Sequence, residues 1–426
     1  MKLRPFYRAM LSLTLLAGGT IAFCQAADST AITPPSHKHR HRKVVRKAAV
    51  TTPQVVTAST TGRTVARTTT RAGLIHTDSA TTTQVAYARR RGRRARVAFS
   101  PWTEPTFADS TVGDIVDGED PVIRKAAIDG LGPYNGTVVI ADPTSGRILS
   151  IVNQKLALKG AYQPCSTVKT VISLAALSEH VITPEKNVRI SRRFGMDMTQ
   201  ALAHSNNLYF AKLGEQLGFD RVEKYAKLFG LGEKAGLDIP GEEAGYLTPE
   251  PPSTGVGMMT SFGDGIRLTP LELTSILTAI SNGGTMYYLQ YPRSEEDVQK
   301  FIPRVKRMLD VADFIPEIKP GMLGAVEYGT ARRVTLDSNE SIYGKTGTCT
   351  DTAQPGVHLG WFGSFNDAGK NKLVVVVLLT GGRGISGPIA SGIAGNVYHN
   401  LAQQHYFGPD IPAMPTALIS MPAVAQ

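Results

Sequence analysis

A serine and a lysine stand three positions apart in QPCSTVKTVISLAAL, residues 163–177. The residues that follow Pro164 are apolar on every side, which predicts a buried helix with Ser166 near its N-terminus. Positions i and i+3 share one face of a helix, so Ser166 and Lys169 point the same way. Burial and the positive helix N-terminus both lower the pKa of a lysine, which can then act as the base for a serine nucleophile. An N-cap serine followed by a surface lysine is the alternative interpretation.

Two further motifs follow in the same chain. Ser205-Asn206-Asn207 begins 39 residues after Ser166, and Lys345-Thr346-Gly347-Thr348 begins 140 residues after Ser205. Each motif is common by itself, and Ser205 and Lys345 taken singly predict a loop serine and a strand-end lysine. The order S-x-x-K, S-x-N, K-T-G is typical of serine enzymes that bind or hydrolyse penicillin.

The elements that must position these residues are predicted from periodicity. Residues 120–131 have helical spacing, and residues 387–405 predict a closing helix. Residues 136–154 and 356–382 each predict two β-strands around a turn. Strands at both ends of the folded part, with helix-rich sequence between them, predict one α+β domain whose central sheet is assembled from sequence-distant hairpins.

Residues 112–408 resemble the transpeptidase domain of penicillin-binding proteins, in particular the class B, monofunctional branch. Beyond the three motifs, the similar segments are SFGDGIRLTPLELTSILTAISNGGTM (261–286), GLGEKAGLDIPGE (230–242), GMLGAVEYGTARRV (321–334) and HLGWFGSF (358–365). The resemblance implies a central antiparallel β-sheet flanked by helices, with an all-helical subdomain, as in β-lactamases and transpeptidases. It implies no metal and no organic cofactor.

The resemblance also assigns catalytic roles. Ser166 would attack the carbonyl between two D-alanines of a peptidoglycan stem peptide, and Lys169 would accept its proton. Ser205 would relay a proton toward the leaving amine. Asn207 would orient Lys169 and the substrate amide.

The third motif would bind the substrate. Lys345 supplies positive potential in this assignment, and the Thr346 and Thr348 hydroxyls, beside Gly347, hold the terminal carboxylate. The backbone N–H groups of Ser166 and Thr348 would form the oxyanion hole, in which one donor is worth about 3 kcal/mol of the barrier.

A cysteine replaces the glycine that the family often has before the nucleophile. This residue is Cys165, and Cys349 stands four positions after Lys345. The nucleophile helix and the K-T-G strand line opposite sides of the cleft in the family, so we expect a Cys165–Cys349 disulfide, which an oxidising compartment permits. A similar pair occurs in some class A carbapenem-hydrolysing β-lactamases. Two unrelated buried thiols are the alternative.

Several functions remain open at this point. A D,D-transpeptidase, a D,D-carboxypeptidase and a serine β-lactamase share the three motifs, and a β-lactam sensor or scaffold is the non-enzyme alternative. No Glu-x-x-x-Asn setting typical of class A β-lactamases is found between Ser205 and Lys345, and the Tyr-Gly-Asn triplet of class D is absent. Both observations favour a penicillin-binding transpeptidase. No region resembles a glycosyltransferase, so glycan polymerisation is not expected.

The first 27 residues predict an export signal. Basic residues flank a 14-residue apolar run, residues 10–23, and small residues follow near Ala26. An uncleaved inner-membrane anchor is the alternative. Either interpretation predicts an exported, periplasmic protein.

Residues 28–111 predict a disordered basic tail rich in Thr and Arg, and residues 409–426 a C-terminal tail. Residues 36–97 hold 15 lysines and arginines against one acid, Asp78, whereas residues 98–426 carry a net charge of −5. Behind an export signal, the natural partners of such a tail are anionic membrane headgroups or wall polymers, and no nucleic acid is expected. A solvated linker without a specific partner is the alternative.

Overall fold

The computed structural model describes residues 105–334, 341–367 and 369–408. These residues all lie in the second of the two units into which the chain divides, Gly92–Gln426. The predicted export signal, most of the predicted basic tail and the predicted C-terminal tail lie outside the described residues. Within the part of the chain that the structure describes, no helix is both long and apolar enough to cross a membrane.

The described residues form both α-helices and β-strands. The α-helices are α1 (Pro121–Leu131), α2 (Gln154–Leu158), α3 (Lys169–Ser178), α4 (Met198–Ala203), α5 (Asn207–Leu217), α6 (Phe219–Leu228), α7 (Val256–Phe262), α8 (Pro270–Ser281), α9 (Glu295–Gln299), α10 (Ile315–Glu327) and α11 (Gly387–Gln403). The strands are β1 (Gly136–Ala141), β2 (Ile148–Val152), β3 (Val188–Arg189), β4 (Gly195–Met196), β5 (Tyr246–Leu247), β6 (Ile266–Arg267), β7 (Thr285–Tyr287), β8 (Val305–Met308), β9 (Ile342–Thr350), β10 (His358–Asn366) and β11 (Val374–Gly381). Short 3₁₀ helices span Cys165–Val168 and Ala312–Phe314.

The central sheet has five strands in the order β2-β1-β11-β10-β9. All neighbouring strands are antiparallel. The first and last hairpins of the folded part therefore meet in one sheet, where Val138 of β1 lies opposite Val377 of β11. This arrangement confirms the predicted α+β fold with a central antiparallel sheet.

Both faces of the sheet are buried, which explains the unbroken apolar sequence of β11. Successive side chains of a strand point to opposite faces. Val374, Val376 and Leu378 accordingly belong to the core that includes α3 and α8. The alternate residues of β11 pack instead against α1 and α11, on the other face.

A helical part lies between the two ends of the sheet in the sequence. Helices α3, α4, α5, α6, α7 and α10 pack on one another, with α3 in contact with each of the others. Nine of the ten residues of α3 are buried, as expected for a helix that is apolar on every side. Apart from the two-residue strands β3 to β6, this part corresponds to the predicted all-helical subdomain.

The folded part begins before the predicted boundary at residue 112. Phe107 forms a β-bridge with Tyr134, and the Ala108 N–H donates to the Pro133 carbonyl at 3.0 Å. The Ser110 hydroxyl donates to the Tyr134 carbonyl at 2.9 Å. The prediction of a disordered tail up to residue 111 is therefore wrong for residues 105–111, because their backbone pairs with residues that only the fold brings close.

Candidate active site

Ser166 and Lys169 lie at the start of the buried helical segment. Cys165, which precedes the serine, has a positive φ of 52°. The predicted helix begins with a 3₁₀ turn, Cys165–Val168, and becomes an α-helix at Lys169. Its first turn is therefore more tightly wound than the predicted α-helix. Residues i and i+3 of a 3₁₀ helix are aligned. Lys169 Nζ consequently lies 3.0 Å from Ser166 Oγ, which is the contact that the spacing predicts.

The Lys169 amine is enclosed by polar atoms from the second motif. Its Nζ donates to Asn207 Oδ1 at 2.6 Å and to the Ser205 carbonyl at 2.8 Å. The lysine side chain is fully buried and passes 5.3 Å from the Phe210 ring centre. Burial, and secondarily the charge of Lys345, lower the pKa of Lys169 to about 6. The amine is therefore largely uncharged at neutral pH.

The second motif occupies the turn that joins α4 to α5. Ser205 has a φ of 54°, an unusual value for a residue other than glycine. The next residue, Asn206, caps α5 by accepting the Tyr209 N–H at 2.9 Å. This tight turn brings the Ser205 hydroxyl and the Asn207 side chain onto the same lysine. Ser205 Oγ lies 3.1 Å from Lys169 Nζ and 2.8 Å from Lys345 Nζ.

The third motif lies in β9, the strand at the edge of the sheet. Lys345 is buried, and burial lowers its pKa to about 7. Its Nζ also donates to the Thr346 carbonyl at 3.0 Å. A Cβ atom at Gly347 would lie 2.9 Å from the Pro164 carbonyl oxygen, so glycine allows β9 to approach the nucleophile segment closely. Thr348 is exposed, and its Oγ1 accepts the Gly387 N–H at 2.8 Å.

A threonine that the motifs do not include also reaches the site. The Thr330 hydroxyl lies 2.6 Å from the Thr346 hydroxyl, and the Thr330 N–H donates to the Ala203 carbonyl at 3.2 Å. Thr330 follows α10 in a turn, 16 residues before Thr346. Its segment resembles the family, but no local pattern in the sequence assigns the residue a contact with the third motif.

The two cysteines are joined across the site. The structure contains a Cys165–Cys349 disulfide with a Cα–Cα distance of 5.7 Å between residues 184 positions apart. Such a distance is usual for a disulfide. The bond links the residue before Ser166 to the residue after Thr348, so it spans the two segments that hold the predicted nucleophile and the predicted oxyanion hole.

The chain belongs to the family of the penicillin binding protein transpeptidase domain, whose family model matches residues 136–401. The match includes all three motifs and all the described helices and strands except α1 and the last two residues of α11. The resemblance that the motifs indicate is thereby confirmed.

Curated relatives match over part of their length. Stage V sporulation protein D of Bacillus subtilis is 29% identical over 279 residues, which cover 58% of this chain and 43% of that protein. The peptidoglycan D,D-transpeptidase MrdA of Haemophilus influenzae is 24% identical over 380 residues, which cover 70% of this chain and 58% of that protein. The chain thus spans about half the length of these relatives.

A solved structure has the same fold. It is the D,D-transpeptidase domain of a peptidoglycan glycosyltransferase from Eggerthella lenta, with a TM-score of 0.55 and 20% sequence identity. The similarity covers 67% of this chain and 82% of that one.

Proposed function

We propose that this protein is an acyl-serine D,D-transpeptidase that cross-links peptidoglycan stem peptides ending in D-Ala-D-Ala and is acylated by β-lactams. The observation that carries the proposal is a continuous chain of polar contacts, none longer than 3.1 Å, that runs from Ser166 through Lys169 and Ser205 to Lys345. Family membership and relatives named as peptidoglycan D,D-transpeptidases support it.

In the first step Ser166 Oγ forms a bond with the carbonyl carbon between the two D-alanines, and its proton moves to Lys169 Nζ. The uncharged state of this amine at neutral pH suits the transfer, since a general base works best with a pKa near the working pH. Negative charge develops on the carbonyl oxygen. The backbone N–H groups of Ser166 and Thr348 would stabilise it, each by about 3 kcal/mol.

In the second step the C–N bond breaks and the terminal D-alanine leaves as an amine. That nitrogen needs a proton, and Ser205 Oγ is placed to pass one on because it contacts both lysines. Lys345 adds positive potential, while the Thr346 and Thr348 hydroxyls would hold the terminal carboxylate. An acceptor amine then attacks the acyl-serine and forms the cross-link. With water as acceptor, the same site would act as a carboxypeptidase.

The setting of this activity is also part of the proposal. The predicted export signal places the protein in the periplasm, where its substrate lies, and the basic segment of residues 36–97 would contact anionic headgroups or wall polymers.

Intact mass against time after addition of benzylpenicillin tests the proposal. We expect the full chain to gain the mass of the opened antibiotic and to keep it, and the Ser166→Ala variant to gain none. Disappearance of the antibiotic without a lasting adduct would instead identify a β-lactamase. If neither an adduct nor hydrolysis is seen, the site is not an acyl-serine enzyme and a scaffold function replaces the proposal.

A further inference from the structure

Arg267, which lies outside the three motifs, connects the two segments that form the cleft. Its guanidinium donates to the Ala161 carbonyl, in the segment that leads to the nucleophile. The same group contacts both carboxylate oxygens of Asp351, at 3.2 and 3.4 Å. Asp351 directly follows β9, the strand of the third motif. A guanidinium has several donors in one plane and can bind both partners at once, which an ammonium group cannot do with the same geometry.

The Arg267–Asp351 pair lies largely out of solvent. The Asp351 side chain is fully buried and the Arg267 side chain is 28% exposed. A buried carboxylate needs a charged or hydrogen-bonded partner, so its position depends on the arginine. Asp351 Oδ1 also accepts the Ala353 N–H at 3.0 Å, and the Asp351 N–H donates to the Val357 carbonyl at 2.8 Å, which closes the loop between β9 and β10.

Arg267 is itself fixed to the nucleophile segment. Its neighbour Leu268 exchanges two backbone hydrogen bonds with Tyr162, at 2.7 and 2.9 Å. On the β10 side, Trp361 Nε1 donates to the Gln163 carbonyl at 3.0 Å. The disulfide joins the same two segments. The segment that leads to Ser166 and the strand of the third motif are thus linked by both polar and covalent contacts.

We propose that Arg267 is a positioning residue, which through Asp351 sets the spacing between Ser166 and Thr348 and brings Cys165 and Cys349 into bonding range. The part of this inference that concerns acylation rests on the proposed function. The part that concerns the cysteines does not. An ionic link that acts beside the disulfide keeps the cleft assembled when the thiols are reduced.

The equilibrium between the disulfide and glutathione tests the geometric part directly. Two glutathione thiols reduce the bond and yield two protein thiols and one glutathione disulfide, so the equilibrium constant measures how closely the folded protein holds its two thiols. The measurement uses the full chain with Cys24→Ser, which leaves one cysteine pair. We expect Arg267→Gln to favour the reduced form by ~10-fold or more, as for a lost contact between coupled groups.

Further variants separate positioning from loss of folding. Arg267→Lys keeps the positive charge but loses the planar set of donors. We expect it to shift the glutathione equilibrium toward the reduced form by less than Arg267→Gln does. Asp351→Asn removes the charge from the other end of the link and should shift the equilibrium as well. Arg304→Gln is the control, because it removes the exposed ion pair between Arg304 and Asp238, and it should leave the glutathione equilibrium unchanged. Thermal unfolding checks each variant, and if Arg267→Gln does not fold, Arg267→Lys and Asp351→Asn decide the question.

Acylation by benzylpenicillin provides the second measurement. With the cysteine pair reduced, we expect Arg267→Lys to lower the second-order rate constant of acylation ~10-fold. With the disulfide intact we expect a smaller effect, because the disulfide and the ion pair hold the same two segments and their contributions are not additive. Equal glutathione constants for Arg267→Lys, Asp351→Asn and the parent would overturn the proposal. If the parent itself is not acylated, the proposed function fails. The glutathione equilibrium still tests whether Arg267 brings the two cysteines into bonding range.

Discussion

Lys345 Nζ donates a hydrogen bond of 2.8 Å to the hydroxyl of Ser205, a residue 140 positions earlier in the chain. The same hydroxyl lies 3.1 Å from Lys169. One serine therefore separates two buried amines that would repel each other if both were charged. Its oxygen can accept a hydrogen bond from one amine while its proton passes to the other.

Removal of the Ser205 hydroxyl should slow acylation without weakening the fold. We expect Ser205→Gly to lower the rate of acylation by benzylpenicillin by ~100-fold or more, since proton transfer by a positioned group contributes on that order. Glycine tolerates the positive φ at this position, so the variant should unfold at a temperature near that of the parent. Mass spectrometry and thermal unfolding measure the two effects, and an unchanged rate would rule out a relay by this hydroxyl.

The pH dependence of acylation should follow the two buried lysines. Lys169 must be uncharged to accept a proton, so the rate rises with pH through about 6, its lowered pKa. Lys345 must stay charged, so the rate falls as the pH rises above about 7. The observed midpoints belong to the coupled pair rather than to either lysine alone.

A carboxylate at position 207 should shift the acid side of the pH–rate profile for acylation. Asn207→Asp places a carboxylate where an amide oxygen lies 2.6 Å from Lys169 Nζ, which favours the charged amine and should raise the lower midpoint by about 1–3 units. Asn206→Asp adds the same charge at the cap of α5, where the side chain bonds to the Tyr209 N–H. This control should shift the acid side much less. Identical shifts for the two variants would argue against direct contact between Asn207 and Lys169.

A methyl group at Gly347 should push β9 away from the nucleophile segment. Its carbon would meet the Pro164 carbonyl oxygen at 2.9 Å, the Thr167 methyl at 3.2 Å and the Trp361 Cβ at 3.2 Å. We expect Gly347→Ala to destabilise the fold by about 1–3 kcal/mol and to slow acylation at least tenfold, on the usual cost of overpacking.

The control for this substitution is Gly392→Ala in α11. The nearest atom to its new methyl would be the Arg333 Cβ at 3.5 Å, an ordinary contact. Alanine favours a helix over glycine by about 1 kcal/mol, so this variant should be slightly more stable and fully active. Chemical denaturation and penicillin acylation compare the two, and wild-type activity in Gly347→Ala would show that the close approach is not required.

The Cys165–Cys349 bond should make a large contribution to stability. A cross-link between residues 184 positions apart limits the unfolded chain and is worth about 5 kcal/mol, which corresponds to a fall in Tm of roughly 10 °C on reduction. Thiol titration of the full chain, with residues 1–27 retained, should find one free thiol, that of Cys24, before reduction and three after it. The Cys165→Ala/Cys349→Ala variant should not respond to the reductant. Three free thiols in unreduced protein would show that the bond does not form.

The sequence determined the features that depend on near neighbours. The hairpin of β1 and β2 is evident from two β-rich runs joined by a turn within about 20 residues, and the burial of α3 is evident from apolar residues on all its sides. The contact between Ser166 and Lys169 belongs to the same group, because one helical turn suffices to bring residues three positions apart together. The resemblance to a known family added the prediction that the second and third motifs lie at the same site. No local pattern in the sequence predicts that these two motifs come together.

The tertiary structure decided the contacts between distant segments. Thr330 beside Thr346, Arg267 between Ala161 and Asp351, and the pairing of residues 106–110 with the start of the sheet all join backbone or side-chain groups that share no periodicity. Hydrogen bonds and ion pairs of this kind depend on where whole elements pack. The way the elements pack follows from the burial of both faces of the sheet. The type of a single polar residue in the sequence does not indicate which distant residue it will contact.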